Sequence, residues 1–415
     1  MQFSDFGNKF RGDAGIAELM QDLASPVATS EIPVYELGGG NPALIPEAVQ
    51  IFAQQLHNYA DAQAEFSHSS TRYGPPQGQQ TFIRSLVVLL NTHYGWSLAE
   101  HNIALTNGSQ NAFFMLFNLL AGSCGEHVKK ILLPMAPEYI GYEDVAIGEP
   151  IFVSQRPVID VIDDQMFKYR LDTNSLNIGH DIAAICVSRP TNPTGNVLCD
   201  TEINCLDQLA QKNNIPLIID NAYGAPFPNI INVPCTIRWH ENIVLTLSLS
   251  KLGLPGTRTG IVVARAEVID ALTQMNAIMN LSPTALCAGI VNPMFADGSV
   301  LTLCNNHIQP FYQQRATDAM RWFKKAFSQL PALAHKVEGA IFLWLWFPEI
   351  NIGSAQLYKR LKKRGVIVVP GHYFFPGLDD TWEHKQQCIR VNIGGPANDI
   401  KAGFNIIADE IRALT

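Results

Sequence analysis

The middle of the chain alternates short apolar runs with stretches whose apolar positions recur every three or four residues. The runs are Ile103–Leu105, Ile131–Leu133, Ile182–Val187, Leu217–Ile219, Ile243–Leu247 and Ile261–Ala264. They are too short for helices and do not alternate with polar residues, which predicts strands covered on both faces. Between them, Thr201–Asn213 places Ile203, Leu206, Leu209 and Ala210 at helical spacing. Strand and helix in turn predict an α/β unit around a mostly parallel sheet. Ligands of such sheets sit at the carboxyl ends of the strands. The polar residues Asn192, Asp220, Ser248 and Lys251 all follow strands there.

The tail reads differently. Ile308–Leu330 predicts one long helix stopped by Pro331, and Gly339–Phe347 a strand. Leu357–Arg364 is an amphipathic helix ending at Gly365, a good C-cap. Val366–Val369 and Cys388–Ile393 predict further strands. The fold class is therefore α/β, with a smaller α+β domain beside the large one. The expected division is a large domain over 61–305 and a small one built from 1–60 and 306–415.

Composition narrows the function classes. Of 415 residues, 47 % are hydrophobic and 16 % charged, which excludes an intrinsically disordered chain. The net charge of −8 argues against a nucleic-acid partner, which calls for a basic patch. No apolar run reaches the roughly 18 residues of a membrane helix, and the start, MQFSDFGNKFRGDAG, has no signal-peptide pattern. The eight cysteines form no CxxC pair, so no metal site is expected and a reducing cytoplasm is.

Three clusters carry candidate chemistry. Ser248-Leu-Ser250-Lys251 is followed by Gly256 and Arg258. A lone lysine in a turn is ordinarily a solvated charge. Here two hydroxyls and an arginine flank it, which suits a phosphorylated ligand, and a nearby cation lowers a lysine's pKa. Asp220 closes an apolar run ahead of Asn221, Ala222 and Tyr223. Alone it reads as a helix N-cap. Asn192-Pro-Thr-Gly195 alone reads as a turn.

In this order, NPTG, D-x-x-Y and SxSK-x6-R-x-G resemble the class-I, fold-type-I aminotransferases, which use pyridoxal 5'-phosphate. Thr106-Asn-Gly108-Ser109-Gln110 resembles their phosphate-cradling loop. Tyr73-Gly-Pro-Pro-Gln-Gly78 resembles their Y-x4-G segment, and Leu37-Gly-Gly-Gly40-Asn-Pro42 their L-x-x-G-x-P segment. The likeness spans about residues 35 to 395. Stretches such as LGGGNPA, APEYIGY, SRPTNPTGN and PGHYFFPGLD resemble the branch that works on valine and pyruvate.

The resemblance implies a role for each residue. Lys251 holds the cofactor aldehyde and later moves the substrate proton. Asp220 keeps the pyridine nitrogen protonated, while Tyr223 and Asn192 donate to the ring's phenolate oxygen. Gly108, Ser109 and Gln110 offer amides to the phosphate, with Ser248 and Arg258 beside them. Ser250 either joins them or only shapes the turn. Tyr139 stacks on the ring, with Tyr142 as the alternative. Tyr73 crosses to the neighbouring subunit's phosphate, which implies a homodimer. Arg390 grips the substrate carboxylate, aided by Asn192 and the Gly40 backbone. Trp344, Trp346 and the Phe113–Phe117 cluster read as core, and His372 lies where the family has a loop facing the site.

The expected reaction is a ping-pong transfer of the amino group of L-valine to pyruvate. The alternatives are another class-I aminotransferase (alanine or broad aliphatic and aromatic) and a lyase of the same fold. A DNA-binding regulator of this fold is disfavoured, because no helix-turn-helix pattern is visible. A dinucleotide loop at Gly38–Gly40 is rejected, because Pro42 and Pro46 follow where a helix has to open.

Overall fold

The computed structural model describes residues 1–9 and 32–415. An eight-stranded sheet forms its centre. Its strands run in the order Ile103–Thr106, Gly260–Val263, Ile243–Ser248, Leu217–Asp220, Ile182–Ser188, His127–Leu133 and Gly122–Cys124, with Phe152–Ser154 also on His127–Leu133. Gly260–Val263 and Gly122–Cys124 run antiparallel to their neighbours, and the rest share one direction. Every predicted strand of this region is present, within two residues at most ends.

Both faces of the sheet are buried, which explains the missing alternation. Leu217 and Ile219 enter one core, together with Ile103, Leu105 and Leu245. Ile218 enters the other, with Ala104 and Val244. Each such side chain, fully buried, contributes about 1.5–3 kcal/mol. The helix Asp200–Lys212 covers one side through Ile203, Leu206 and Ala210. It is capped where the Cys199 amide donates to Glu202 Oε2 at 2.8 Å.

A second sheet, of six strands, carries the tail. Its order is Val369–Pro370, Cys388–Asn392, Phe342–Trp346, Leu333–His335, Met166–Arg170 and Val158–Asp163. Three tail predictions need correction. The long helix ends at Ala326, because the chain turns at Phe327, whose ring stacks on Phe323 and Phe347, and before Gln309 it continues through a π-helical turn over Cys304–Ile308. Val366–Val369 is two short strands, Val366–Ile367 pairing with Tyr35–Glu36 and Val369–Pro370 joining the six-stranded sheet. The helix predicted from Leu357 starts earlier, at Ser354, and ends at Lys363 before Gly365 (φ +78°).

Strand pairing and packing also link residues of the two expected domains. The hairpin Val158–Arg170 extends the tail's sheet. The helix Pro46–Asp61 buries Ala48 and Phe52 in the core beneath the central sheet. Tyr35–Glu36 pairs with the tail, and Leu37 packs in the tail's core. Residues 10–31, assigned with the rest of 1–60 to the small domain, lie outside the described residues.

Candidate active site

Four strand ends converge on one cavity of about 220 Å³. Its wall includes Gly40, Ser109, Gln110, Tyr139, Asn192 and Asp220. Tyr223, Ser248, Ser250, Lys251, Arg258 and Arg390 line it as well. Twelve of the fourteen residues singled out in the sequence thus line one space. Gly108 lies just behind it, under Arg258, and Tyr73 lies elsewhere.

Asp220 ends its strand and is buried. Its Oδ2 accepts from the Tyr142 hydroxyl at 2.9 Å, and Oδ1 from the Ala222 amide at 3.1 Å. Burial pushes the carboxyl up to about 6, while the Tyr142 bond, the Ala222 amide and Lys251 pull against it. Tyr142 is fully buried and lines no part of the cavity, so the ring at the cavity wall is Tyr139. The two rings meet edge to face, with centroids 5.5 Å apart.

Lys251 follows the strand Ile243–Ser248 in the turn that Ser248 begins. The Ser250 amide donates to Ser248 Oγ at 3.1 Å and fixes that turn. Lys251 Nζ donates to the Gly40 carbonyl at 2.6 Å and lies 5.3 Å from the Tyr223 ring centre. Burial brings the amine down to about 8, helped by the Arg390 and Arg258 charges and opposed by Asp220.

Gly108 opens the helix Ser109–Leu120 at φ +88°. A Cβ there falls 2.3 Å from Arg258 Nη2, so glycine is what lets the guanidinium lie over the helix start. The Gly108 amide is already spent on the Thr106 carbonyl at 2.8 Å. That leaves the amides of Ser109 and Gln110 in the first turn, where a helix favours an anion.

Arg390, on the strand Cys388–Asn392, is the most enclosed cation of the site. Nη1 donates to Asn192 Oδ1 at 2.8 Å and Nη2 to the Gly38 carbonyl at 2.5 Å. The guanidinium lies 4.1 Å from the Phe342 ring centre and 5.3 Å from that of Phe374. Burial pulls it down to about 10, which still leaves it charged at neutral pH. Asn392 Nδ2 holds the Gly39 carbonyl at 2.6 Å, so the Leu37–Pro42 segment is pinned from the same strand.

Sequence reasoning missed Gly38, Asn392, Phe342 and Phe374. It placed Phe113 in the core, which is right, though its ring also reaches the cavity. His372 bonds Ser354 Oγ at 2.8 Å and does not line the cavity. Trp344 is core, its indole donating to the Tyr169 hydroxyl at 2.9 Å. Among the described residues no cluster has the makings of a metal site, and no single helix is long and apolar enough to cross a membrane.

The cavity suits an anionic ligand with a polar ring. Three cations face it, Lys251 and Arg258 from the loop between the strands Ile243–Ser248 and Gly260–Val263 and Arg390 from the strand Cys388–Asn392, and the helix Ser109–Leu120 starts at its wall. Two buried polar atoms, Arg390 Nε and Gln110 Oε1, have no hydrogen-bond partner in the protein. Such unpartnered atoms, with the cations and the helix start, are what an anionic ligand bearing a polar ring calls for.

Comparison with known proteins agrees over the whole length. The sequence pattern of the family described as aminotransferase class I and II matches residues 34–407. The valine–pyruvate aminotransferase of Escherichia coli (strain K12) is 47 % identical over 99 % of this chain and 98 % of its own. A crystal structure of a putative amino-acid aminotransferase from Psychrobacter arcticum 273-4 superposes with a TM-score of 0.96 at 46 % identity, covering 100 % of this chain and 99 % of that one. The valine-pyruvate aminotransferase of Salmonella typhimurium LT2 gives 0.88 at 46 %, covering 96 % and 99 %.

Proposed function

The chain belongs to the class I and II aminotransferases, and on that premise we propose that it moves the amino group of L-valine to pyruvate. The products are 3-methyl-2-oxobutanoate and L-alanine, formed in a ping-pong cycle. The observation that carries this reading is the full-length likeness to a valine–pyruvate aminotransferase. Pyridoxal phosphate is the cofactor, and when bound its ring takes up the electron pair left at the substrate Cα.

The chain's own residues divide the remaining work. Arg390 holds the α-carboxylate of donor and acceptor alike, its fork aimed by Asn192 and by the Gly38 carbonyl. Lys251, with its lowered affinity for a proton, is the base that would take the proton from the substrate Cα and the acid that would pass it to the cofactor's C4′. Asp220 holds a proton at the ring nitrogen, and Tyr142 keeps the carboxylate in place. Tyr223 and Asn192 line the cavity beside Lys251 and would donate to the ring's phenolate oxygen. Ser109, Gln110, Ser248, Ser250 and Arg258 take the phosphate, and Tyr139 covers the ring.

The charge inventory favours an uncharged substrate side chain. The cations lining the cavity among the described residues are Lys251, Arg258 and Arg390, and each already has a task. Arg315 lines the larger cavity of about 1020 Å³ next to it, but donates to the carbonyls of Ile393 and Gly395. Among the described residues of one chain, no lining cation remains for a side-chain carboxylate. Shape alone separates aliphatic side chains by only about 1–3 kcal/mol per methylene, so neighbours of valine react too.

The active unit in this reading is a homodimer in a reducing cytoplasm. Tyr73 is 81 % exposed and lies outside its own cavity. Near it Arg72, Gly74, Ala285 and Gly289 line a cavity of about 470 Å³, and Leu281 and Leu286 are exposed. A second copy covers this apolar surface and receives Tyr73 at its phosphate. All eight cysteines are unpaired, which supports the reducing compartment.

An amino-donor panel with pyruvate as acceptor tests the substrate reading. L-valine is expected to lead, other aliphatic amino acids to follow, and L-aspartate to be poor. Aspartate leading overturns it, and ammonia release in place of L-alanine identifies a lyase.

A further inference from the structure

Lys168 and Glu338 form a buried ion pair that lines neither the site cavity nor the larger one beside it. The two residues are 5 % and 4 % exposed. Lys168 sits on Met166–Arg170, the hairpin strand that joins the tail's sheet. Glu338 lies just ahead of the strand Phe342–Trp346. Glu338 Oε2 accepts from Lys168 Nζ, and from the Val197 amide at 3.1 Å. The Glu338 amide donates to the Gly195 carbonyl at 3.2 Å, so this residue grips the turn 191–197 at two points. Lys168 Nζ donates to Asn196 Oδ1 at 3.0 Å in the same turn. Within the turn, the Thr191 amide donates to the Asn196 carbonyl at 2.9 Å and the Gly195 amide to the Thr191 carbonyl at 2.8 Å. Asn192, next to Thr191, accepts from Arg390 Nη1 at 2.8 Å. On the other side of Arg390, the Phe342 ring centre lies 4.1 Å from the guanidinium.

We propose that Lys168 and Glu338 are positioning residues for the carboxylate site: the pair fixes the turn 191–197 and, through it, the aim of Asn192 at Arg390. Each link is a hydrogen bond or a single step along the chain. Lys168 holds Asn196, Asn196 holds Thr191, and Thr191 carries Asn192 to Arg390. An ion pair this dry is costly to desolvate, and apolar residues of the same volume often stabilise a fold as well. What they do not offer is a directed bond to Asn196 and to Val197. The pair supplies both where three segments distant in sequence meet: the hairpin, the turn, and the entry to the strand that carries Phe342. A guanidinium fork that has to meet a carboxylate tolerates little misplacement, even when the cause lies away from the reacting atoms.

The inference rests on Arg390 holding the substrate carboxylate, and the test separates the two. Holoenzyme and its variants are titrated with 3-methylbutanoate, which is valine without its amino group, and kcat and KM are measured with L-valine. Lys168→Met/Glu338→Leu keeps the charge balance and about the same volume. It is expected to bind 3-methylbutanoate about tenfold more weakly, as for the loss of one hydrogen bond to a charged group. KM rises more than kcat falls, and cofactor affinity stays close to wild type. Glu338→Gln keeps an oxygen for Val197 and Lys168 and stays close to wild type throughout. Unchanged 3-methylbutanoate binding in the double variant overturns the proposal. So does an equal loss of cofactor affinity, which marks general loosening, or a Glu338→Gln loss as large as that of the double variant. Arg390→Ala is the control. If it weakens 3-methylbutanoate and the double variant does not, the positioning role alone falls. If it binds as wild type does, Arg390 does not hold the carboxylate and both readings fall. Should the double variant not fold, Asn196→Ala cuts the path in the middle and leaves the ion pair in place. It is expected to weaken 3-methylbutanoate in the same way, and unchanged binding overturns the proposal.

Discussion

Lys251 Nζ and the Gly40 carbonyl meet at 2.6 Å, although 211 positions separate the two residues. The contact ties the Lys251 amine to the glycine segment that Arg390 and Asn392 hold from the other side. Only a neutral amine attacks an aldehyde, and burial brings Lys251 from 10.5 down to about 8. The rate at which apoenzyme takes up pyridoxal phosphate therefore rises with pH and levels off above about 8. Stopped-flow absorbance checks this, and a rise that continues to about 10, where a solvated lysine titrates, contradicts it.

Removing the Tyr142 hydroxyl takes a hydrogen bond from an ionised Asp220. Such bonds are worth about 1.5–3 kcal/mol. Tyr142 lowers the Asp220 pKa, so Tyr142→Phe raises it from about 6. The carboxylate is needed in its charged form, and the acid limb of the kcat profile moves to higher pH. Steady-state rates between pH 5 and 8 measure the shift, about the window in which Asp220 titrates.

Arg390→Ala is expected to raise KM about 10- to 100-fold for every amino acid and 2-oxo acid, because all share the carboxylate it holds. Arg390→Lys recovers part of the loss, since it restores charge without the fork. A loss confined to one substrate assigns Arg390 to side-chain recognition instead.

Gly108→Ala puts a Cβ 2.3 Å from Arg258 Nη2 at a φ of +88°. Arg258 has to move off the helix start, and the backbone strain adds about 1–3 kcal/mol. Cofactor affinity falls at least about tenfold, measured by fluorescence titration of apoenzyme. Unchanged affinity removes Arg258 from the phosphate site.

How much of this was legible in the sequence follows from what each residue depends on. Asp220 and Ser248 stood out because each ends an apolar run that only a covered strand explains. Gly108 and Lys251 stood out through their neighbours in the chain. The contacts that orient them were not legible, because Gly38 meets Arg390 across 352 positions and nothing local marks it. The sequence marks Tyr142 only as an aromatic ring, because its hydroxyl's partner is fixed by how the loop after Ala136 folds. The hairpin Val158–Arg170 lies inside the large unit by sequence yet joins the other sheet, since strand pairing is decided by exposed edges and not by order.

The most direct test of the account is a half-reaction. Purified holoenzyme is mixed with L-valine and no acceptor, and the 2-oxo acid is measured before and after pyruvate is added. The account predicts about one equivalent of 3-methyl-2-oxobutanoate per site at once, L-alanine only after pyruvate, and neither product from Lys251→Ala. Release of 3-methyl-2-oxobutanoate only when both substrates are present, or its full formation by Lys251→Ala, contradicts it.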